Sequence, residues 1–283
     1  MVAGRARLAI VLVGALLVSG CAPTDSTESL PVGVTVELMQ LRSDVAGRTA
    51  QVRVHNDSDT DLQVTSVVVD DPRFDGPAVR DKDSLITAGR TVDLRFELPA
   101  VDCDPRGATP TATIDYTIDG TTHSAQADLV DTLGFVPRLH DRECLRERVA
   151  DVVALEWTGF EPSPSGAPAT LTLGLTPTGV EGAASFDGIR TTNLLKFTVD
   201  GDDDLQLDTR VTGTDDPSTI AMPLVPWRCD PHAVQEDKRG TVFTVDVSVD
   251  GRSGPIEVAA SQDLRGDILT WVAQWCGFAE PGR

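Results

Sequence analysis

Basic residues are scarce in this chain of 283 residues. It carries 24 Lys and Arg against 44 Asp and Glu, which gives a formal net charge of −20 at pH 7. A surface of this sign repels polyanions, and nowhere do Lys and Arg cluster as phosphate binding requires. Nucleic acid is therefore not an expected partner.

Long hydrophobic runs are missing after the first 20 residues. The one run, from Leu8 to Val18, follows the positively charged Arg5 and Arg7 and is 11 residues long. A membrane-spanning helix needs about 20 apolar residues. The order of charge and apolar core therefore predicts that residues 1–20 form a signal peptide for export.

The signal peptide ends in Leu17-Val18-Ser19-Gly20-Cys21, which resembles the lipobox of bacterial lipoproteins. The resemblance implies cleavage before Cys21 and a diacylglyceryl group on its thiol. Acyl chains such as palmitate would then hold the protein on the extracytoplasmic face of the cell membrane. The alternative is an ordinary secretory peptide with an incidental cysteine, but charge, apolar core and small residues in register favour the lipobox. The low lysine content, three residues against 21 Arg, is typical of GC-rich genomes and favours an actinobacterial source.

The rest of the chain contains an internal repeat. Cys-Asp-Pro occurs at residues 103–105 and recurs 126 residues later, at 229–231. Each copy is followed by a strand-like alternation, then by an Asp-Gly pair at 119–120 or 250–251, and then by another cysteine. Asp-Gly favours the positive φ angles of a type I′ hairpin turn. This shared order predicts a duplicated domain.

Cysteine is sparse. The chain has five, which is an odd number: Cys21, Cys103, Cys144, Cys229 and Cys276. An odd count would leave one reactive thiol in an exported protein, and acylation of Cys21 removes it. The remaining four are expected to form disulfides in an oxidising compartment. The repeat favours pairing Cys103 with Cys144 and Cys229 with Cys276, one of three possible connectivities.

Strand-like alternation runs through both halves, at residues 50–55, 112–118, 169–173, 205–211 and 243–249, and residues 62–69 are rich in β-branched residues with apolar runs. The pattern predicts a mainly β fold of two tandem β-sandwiches, which resemble immunoglobulin-like domains in this respect only. We expect a flexible, lipid-anchored tether over residues 21–31, a first sandwich over 32–148 and a second over 149–283. The first strand of the second sandwich is expected from Val149 to Trp157, so the linker is short and the two domains are held in a fixed relation.

Each domain is also expected to contain a short helix near its C-terminal end. The second helix is indicated by apolar residues that share one helical face: Ile268, Trp271, Val272, Trp275 and Cys276. The signal around Cys144 is weaker, because Pro137 and the charged Arg142 and Glu143 interrupt it.

Catalytic patterns are missing as well. No Gly-x-Ser-x-Gly motif occurs, and the four histidines lack metal-ligand spacing: His55, His123, His140 and His232. The alternating strands and helices of two-lobed solute-binding proteins are also missing. We predict no catalytic residue, cofactor or metal, although a triad assembled from distant residues stays open.

Two groups of side chains leave alternatives open. The acidic runs at 57–61 and 200–204 could bind calcium, but neither has the glycine and glutamate of an EF-hand loop, and hairpin turns are favoured. Trp227, Trp271 and Trp275 could form a platform for a sugar or peptidoglycan fragment. The helical spacing of Trp271 and Trp275 places them on a buried face and favours packing of the core around a disulfide.

These features predict a lipid-anchored, non-enzymatic binding or scaffolding module of the cell envelope. Its expected partners are membrane lipid, through acylated Cys21, and an envelope protein or the cell wall. An envelope enzyme or a small-ligand carrier is the alternative.

Replacing Cys21 by alanine is expected to release the protein from the membrane fraction, because the thioether cannot form. Fractionation of cells followed by immunoblotting measures this. Ser19→Ala keeps a small residue before the cleavage site and serves as the control that stays membrane-bound. A Cys21→Ala variant that sediments as firmly as the wild type contradicts the lipobox assignment.

Overall fold

The computed structural model describes residues 28–45, 47–107, 109–197, 204–235 and 239–278. The predicted signal peptide, the lipobox and Cys21 lie outside these described residues. Within them, no helix combines the length and the apolar character needed to cross a membrane.

The N-terminal half of the described chain folds into a sandwich of two antiparallel sheets. Its elements are β1 (Val34–Met39), α1 (Arg42–Val45), β2 (Thr49–Asn56), β3 (Leu62–Asp70), β4 (Ala78–Arg80), β5 (Ser84–Ile86), β6 (Arg90–Glu97), β7 (Thr111–Ile118) and β8 (Thr121–Asp128). One sheet has the order β1-β2-β6 and the other β4-β3-β7-β8, with β5 also paired to β3. Alternate side chains such as Val52 and Ile114 are fully buried between the sheets, as the period-two pattern requires.

The C-terminal half repeats this architecture. Its elements are β9 (Val153–Glu161), β10 (Ala169–Pro177), β11 (Ala183–Ile189), β12 (Leu195–Lys196), β13 (Leu205–Thr212), β14 (Ser218–Pro226), α3 (Pro231–Gln235), β15 (Val242–Val249), β16 (Arg252–Ala259) and α4 (Gln262–Trp275). The sheets have the orders β12-β14-β10-β9 and β13-β11-β15-β16. The predicted mainly β fold of two immunoglobulin-like sandwiches is confirmed.

Both Asp-Gly pairs form two-residue hairpin turns, as predicted. Asp119 and Gly120 connect β7 to β8 with φ of 51° and 81°, and Asp250 and Gly251 connect β15 to β16 with φ of 51° and 74°. Positive φ at both central residues defines the type I′ class, whose twist matches that of the flanking strands.

One long helix, α2 (Phe135–Val152), joins the two sandwiches and leads into β9 without a loop. Its first half buries Phe135, Val136 and Leu139 in the core of the first sandwich. Its second half buries Leu145, Val149 and Val152 in the core of the second sandwich. The helix is therefore part of both hydrophobic cores.

The length of α2 corrects the sequence interpretation. The predicted strand from Val149 begins only at Val153, and the expected domain border at residues 148 and 149 lies inside the helix. Pro137 does not interrupt α2, because it lies in the first turn. Backbone N–H groups in the first turn have no acceptor within the helix, so a proline there costs no helical hydrogen bond. Val149 and Val152 are apolar because this part of α2 packs in the second core. The same apolar residues make the segment look like the start of a strand in the sequence.

The disulfides have the predicted connectivity. Cys103 pairs with Cys144 across 41 residues, and Cys229 pairs with Cys276 across 47 residues. The first disulfide ties α2 to the loop before β7, and the second ties the segment before α3 to the end of α4. In α4, Ile268, Trp271 and Val272 are buried on one face, as the sequence predicted.

The chain enters the first sandwich along the edge of β8. Glu28 pairs with Ala125 in parallel, and its carbonyl accepts a hydrogen bond of 3.0 Å from the Gln126 amide. Leu30 is partly buried against the same core. The expected tether, residues 21–31, thus overlaps the folded part of the chain by four residues.

Leu139→Ala is expected to lower the free energy of unfolding by about 2–5 kcal/mol, because it leaves a cavity in the first core. Since α2 is shared, the second sandwich should unfold at lower urea concentration as well. All four tryptophans lie in that second sandwich, so tryptophan fluorescence follows it: Trp157, Trp227, Trp271 and Trp275. Asp151→Ala changes an exposed position of α2 and is the control, expected within about 0.5 kcal/mol of wild type. An unshifted tryptophan transition in Leu139→Ala contradicts the coupling.

Candidate functional site

A groove of about 800 Å³ lies at the junction of the two sandwiches. The first sandwich contributes Arg48 and the segment Ala100–Val101, and the second contributes the start of β9 and the end of β16. The exposed side of α2, from Glu143 to Ala150, forms the wall between them. Neither sandwich alone could form this site.

The floor of the groove is apolar and its rim is charged. The floor residues lie mostly in the second sandwich: Val149, Val153, Leu155, Ile256 and Val258. Three glutamates and two arginines surround them: Glu143, Glu147, Glu257, Arg48 and Arg146. An apolar floor with few polar groups around it is typical of binding sites.

Ion pairs neutralise much of the rim. The Arg48 guanidinium is hydrogen-bonded to Glu143 and also donates to the Pro99 carbonyl oxygen at 2.7 Å. Arg239 is paired with Glu257. The Arg48–Glu143 pair joins the first sandwich to α2 directly beside the groove.

Two arginines on the groove side of α2 have no acidic partner within the described residues. Arg146 lies on the rim, and Arg142 lies one turn earlier, in an adjoining depression of about 170 Å³ that shares Arg48, Glu143, Arg146 and Glu257 with the groove. Glu147 on the same rim also has no ion pair within the described residues, so the net charge of the unpaired groups on this side of α2 is positive, on a protein whose overall charge is strongly negative.

Two buried carboxylates elsewhere have structural partners. Asp44 is 1% exposed and accepts hydrogen bonds from the Leu41 amide at 3.0 Å and the Gln51 amide group at 2.6 Å, with Arg95 at 2.9 Å. Asp71 binds Arg73 at 2.6 Å, and this hydrogen bond raises the pKa of the Arg73 guanidinium above its ordinary value. Each carboxylate is satisfied by an arginine, and both stabilise local turns.

The histidines are not brought together. His55 contacts Thr91, His123 stacks on Tyr116, the His140 ring lies 3.0 Å from the Asp102 carbonyl oxygen, and His232 is exposed. Among the described residues, no group of three or more His, Cys, Asp or Glu side chains could hold a metal ion.

The first acidic run forms a turn, and of the second run only Asp204 lies within the described residues. Asn56 organises residues 57–61 by donating to the Thr60 carbonyl oxygen at 2.9 Å, and Asp61 accepts a bond of 2.9 Å from the Ala88 amide. Asp204 accepts from the Thr191 amide at 2.8 Å. Residues 200–203 lie outside the described part of the chain.

The tryptophans of α4 hold the loop between β9 and β10. Trp271 donates its indole N–H to the Ser163 carbonyl oxygen and Trp275 donates to that of Ala167, both at 3.0 Å. Trp271 is 2% exposed, whereas Trp227 is 43% exposed. The geometry supports packing for Trp271 and Trp275, and it does not place the three rings on one open surface.

The sequence did not predict the groove. Arg48, Val101 and Val258 belong to distant parts of the chain, and no local pattern marks them as neighbours. The nearest signal in the sequence is the set of charged residues around Cys144, which weakens the helical pattern there and lines the wall of the groove.

No family model matches the sequence, and no curated protein matches it. Among solved structures, the chain aligns with red sea bream transglutaminase at 9% identity and a TM-score of 0.23, over 82% of this chain and 32% of that one. It thus spans about a third of the transglutaminase.

Two further structures align at similar levels. A chaperone–tip adhesion subunit complex of archaic chaperone-usher Csu pili of Acinetobacter baumannii aligns at 10% identity and a TM-score of 0.18, over 76% of this chain and 93% of that one. A protein of unknown function from Porphyromonas gingivalis aligns at 16% identity and a TM-score of 0.20, over 80% and 99%. Likenesses this low carry no argument about function, and the fold assignment stands on the strand order described above.

Trp275→Phe is expected to lower the free energy of unfolding by about 1 kcal/mol, because the Ala167 carbonyl oxygen loses its indole donor. Trp227→Phe changes an exposed ring without a described indole hydrogen bond and is the control, expected within about 0.5 kcal/mol. Urea unfolding followed by circular dichroism measures both. Soluble peptidoglycan fragments should leave the wild-type tryptophan fluorescence unchanged, and saturable quenching lost in Trp275→Phe contradicts the packing role.

Proposed function

We propose that the chain is an extracytoplasmic lipoprotein, anchored through acylated Cys21, that works as a non-enzymatic binding module for another protein of the cell envelope. The observation that carries this proposal is the groove between the sandwiches. It combines an apolar floor with a charged rim and is formed by both domains together with α2.

The fixed relation of the two sandwiches supports a binding role. Because α2 is buried in both cores and continues into β9, the walls of the groove are already in place before a partner arrives. The disulfide between Cys103 and Cys144 adds a covalent link at the middle of this helix. A preformed site loses less conformational entropy on binding than a flexible one.

The disulfides also support export. Two disulfides are typical of proteins in oxidising compartments, outside the bacterial cytoplasm. Acyl chains on Cys21 would then anchor the protein stably, since each buried methylene contributes about 0.8 kcal/mol.

Anchoring at Cys21 also orients the molecule. The described chain begins at Glu28 beside β8, and β8 leads through α2 to the second sandwich. The first sandwich would therefore lie nearer the membrane, with the groove beyond it.

A small-ligand carrier is a second candidate, because the volume of the groove falls within the range of small-molecule sites, roughly 300–1,000 Å³. The charged, open rim is better suited to a protein partner, whose polar groups can meet it. The two candidates differ in whether a covalent protein adduct can be captured at the groove.

Photo-crosslinking in living cells tests the proposal. A photoreactive phenylalanine derivative placed at Ala150, on the groove wall, is expected to give adducts with another envelope protein in the membrane fraction. The same derivative at Ala221, an exposed position of β14 outside the groove, is the matched control and should give few or none. Absence of protein adducts from both positions contradicts a protein-binding role and leaves the carrier as the better candidate.

A further inference from the structure

The strand β16 forms one edge of its sheet and carries backbone groups that face away from its partner. Among the described residues its only sheet neighbour is β15, to which it is connected by the two-residue turn at Asp250 and Gly251. Residues that flank such a turn exchange hydrogen bonds, and the exchanging pairs then alternate along the strands. Arg252, Gly254, Ile256 and Val258 therefore bond to β15, and the residues between them direct their backbone groups outward.

Two of the outward positions, Glu257 and Ala259, line the groove. Their amides donate to no acceptor within the described residues. Pro255 shares their register, and proline, which has no N–H, fits a sheet edge only at a position that does not bond to the neighbouring strand. The groove thus contains a free strand edge with two donors and two acceptors.

The surroundings of this edge fit a strand from another chain. A peptide in extended conformation points alternate side chains in opposite directions. One set could contact the apolar floor at Leu155 and Val258, and the other could reach the charged rim. Backbone pairing supplies affinity in such complexes, and the pockets for alternate side chains supply specificity.

The charge of the rim indicates which kind of peptide the groove favours. Arg142 and Arg146 are one turn apart on α2 and lack acidic partners within the described residues, whereas Glu143 and Glu257 are paired with arginines. An acidic side chain on the incoming peptide would form an ion pair with one of these arginines. A basic peptide would meet only Glu147 among the unpaired rim charges.

We infer that the groove binds an extended, acidic peptide segment of another protein, which adds to the free edge of β16 as a further strand. The peptide carbonyls accept from the Glu257 and Ala259 amides, and the peptide amides donate to the carbonyls of the same residues. This inference rests on the proposed binding function and names the class of partner that the groove takes.

Proline at position 259 tests the strand pairing directly. Ala259→Pro removes an outward amide without removing a bond to β15, and adducts formed from the photoreactive residue at Ala150 should fall about two- to tenfold, as expected for one lost backbone hydrogen bond. Ser253→Pro makes the same change in the same register of β16, outside the groove, and should leave the yield unchanged. Both variants are made in the full lipoprotein, in membranes of living cells.

A second variant keeps the test independent of proline effects on folding. Arg146→Ala should reduce the same adducts about two- to fivefold, and Arg252→Ala, at the exposed far end of β16, should not. Peptide mapping of the adducts by mass spectrometry is expected to identify an extended segment that contains Asp or Glu.

The outcomes separate this inference from the proposed function. Adducts that form at Ala150 but are equally abundant in Ala259→Pro and wild type overturn strand addition and leave the binding module standing. Adducts that map to a second copy of this chain, or to the chain's own residues, overturn the proposed occupant. No protein adducts from either Ala150 or Ala221 overturn both proposals.

Discussion

The structure depends on one helix that is buried in two cores. At 3.6 residues per turn, Phe135, Val136 and Leu139 lie on one side of α2, whereas Leu145, Val149 and Val152 are centred roughly 120° away around the axis. Each sandwich therefore covers a different side of the same helix, at a different level. Because packing fixes both sides, the relative orientation of the domains follows from the helix and does not depend on the flexibility of a linker.

The groove forms because the two sandwiches cover different sides of α2. The positions Leu139, Glu143, Arg146 and Ala150 follow one another on the same side of α2, at spacings of four, three and four residues. Leu139 is covered by the first sandwich, but the later positions extend beyond it and have no core to cover them. The residues change accordingly from apolar to charged or small. The apolar floor then comes from β9 and β16, which converge where the helix enters the second sandwich.

Local signals in the sequence were sufficient for much of the fold. Asp119-Gly120 and Asp250-Gly251 identified both hairpins, and the recurrence of Cys-Asp-Pro gave the pairing of all four described cysteines. The helix α2 was underestimated because its apolar residues do not form a single stripe with helical period; they form two short sets on different sides. The groove could not be predicted, since it depends on tertiary contacts between residues far apart in the chain, such as Arg48 and Glu143.

The two disulfides show how tandem repetition produced a site that neither repeat contains. Each links the Cys-Asp-Pro segment to the helix that follows the last hairpin of its sandwich. In the second sandwich α4 ends immediately before Cys276, but in the first α2 continues past Cys144 for two more turns and supplies core residues to the next domain. These added turns pack beside β16 and form one wall of the groove, while Arg48 and Ala100–Val101 of the first sandwich also line it. The candidate binding surface is therefore a property of the junction, and its chemistry is set by the few residues of α2 that belong to neither core.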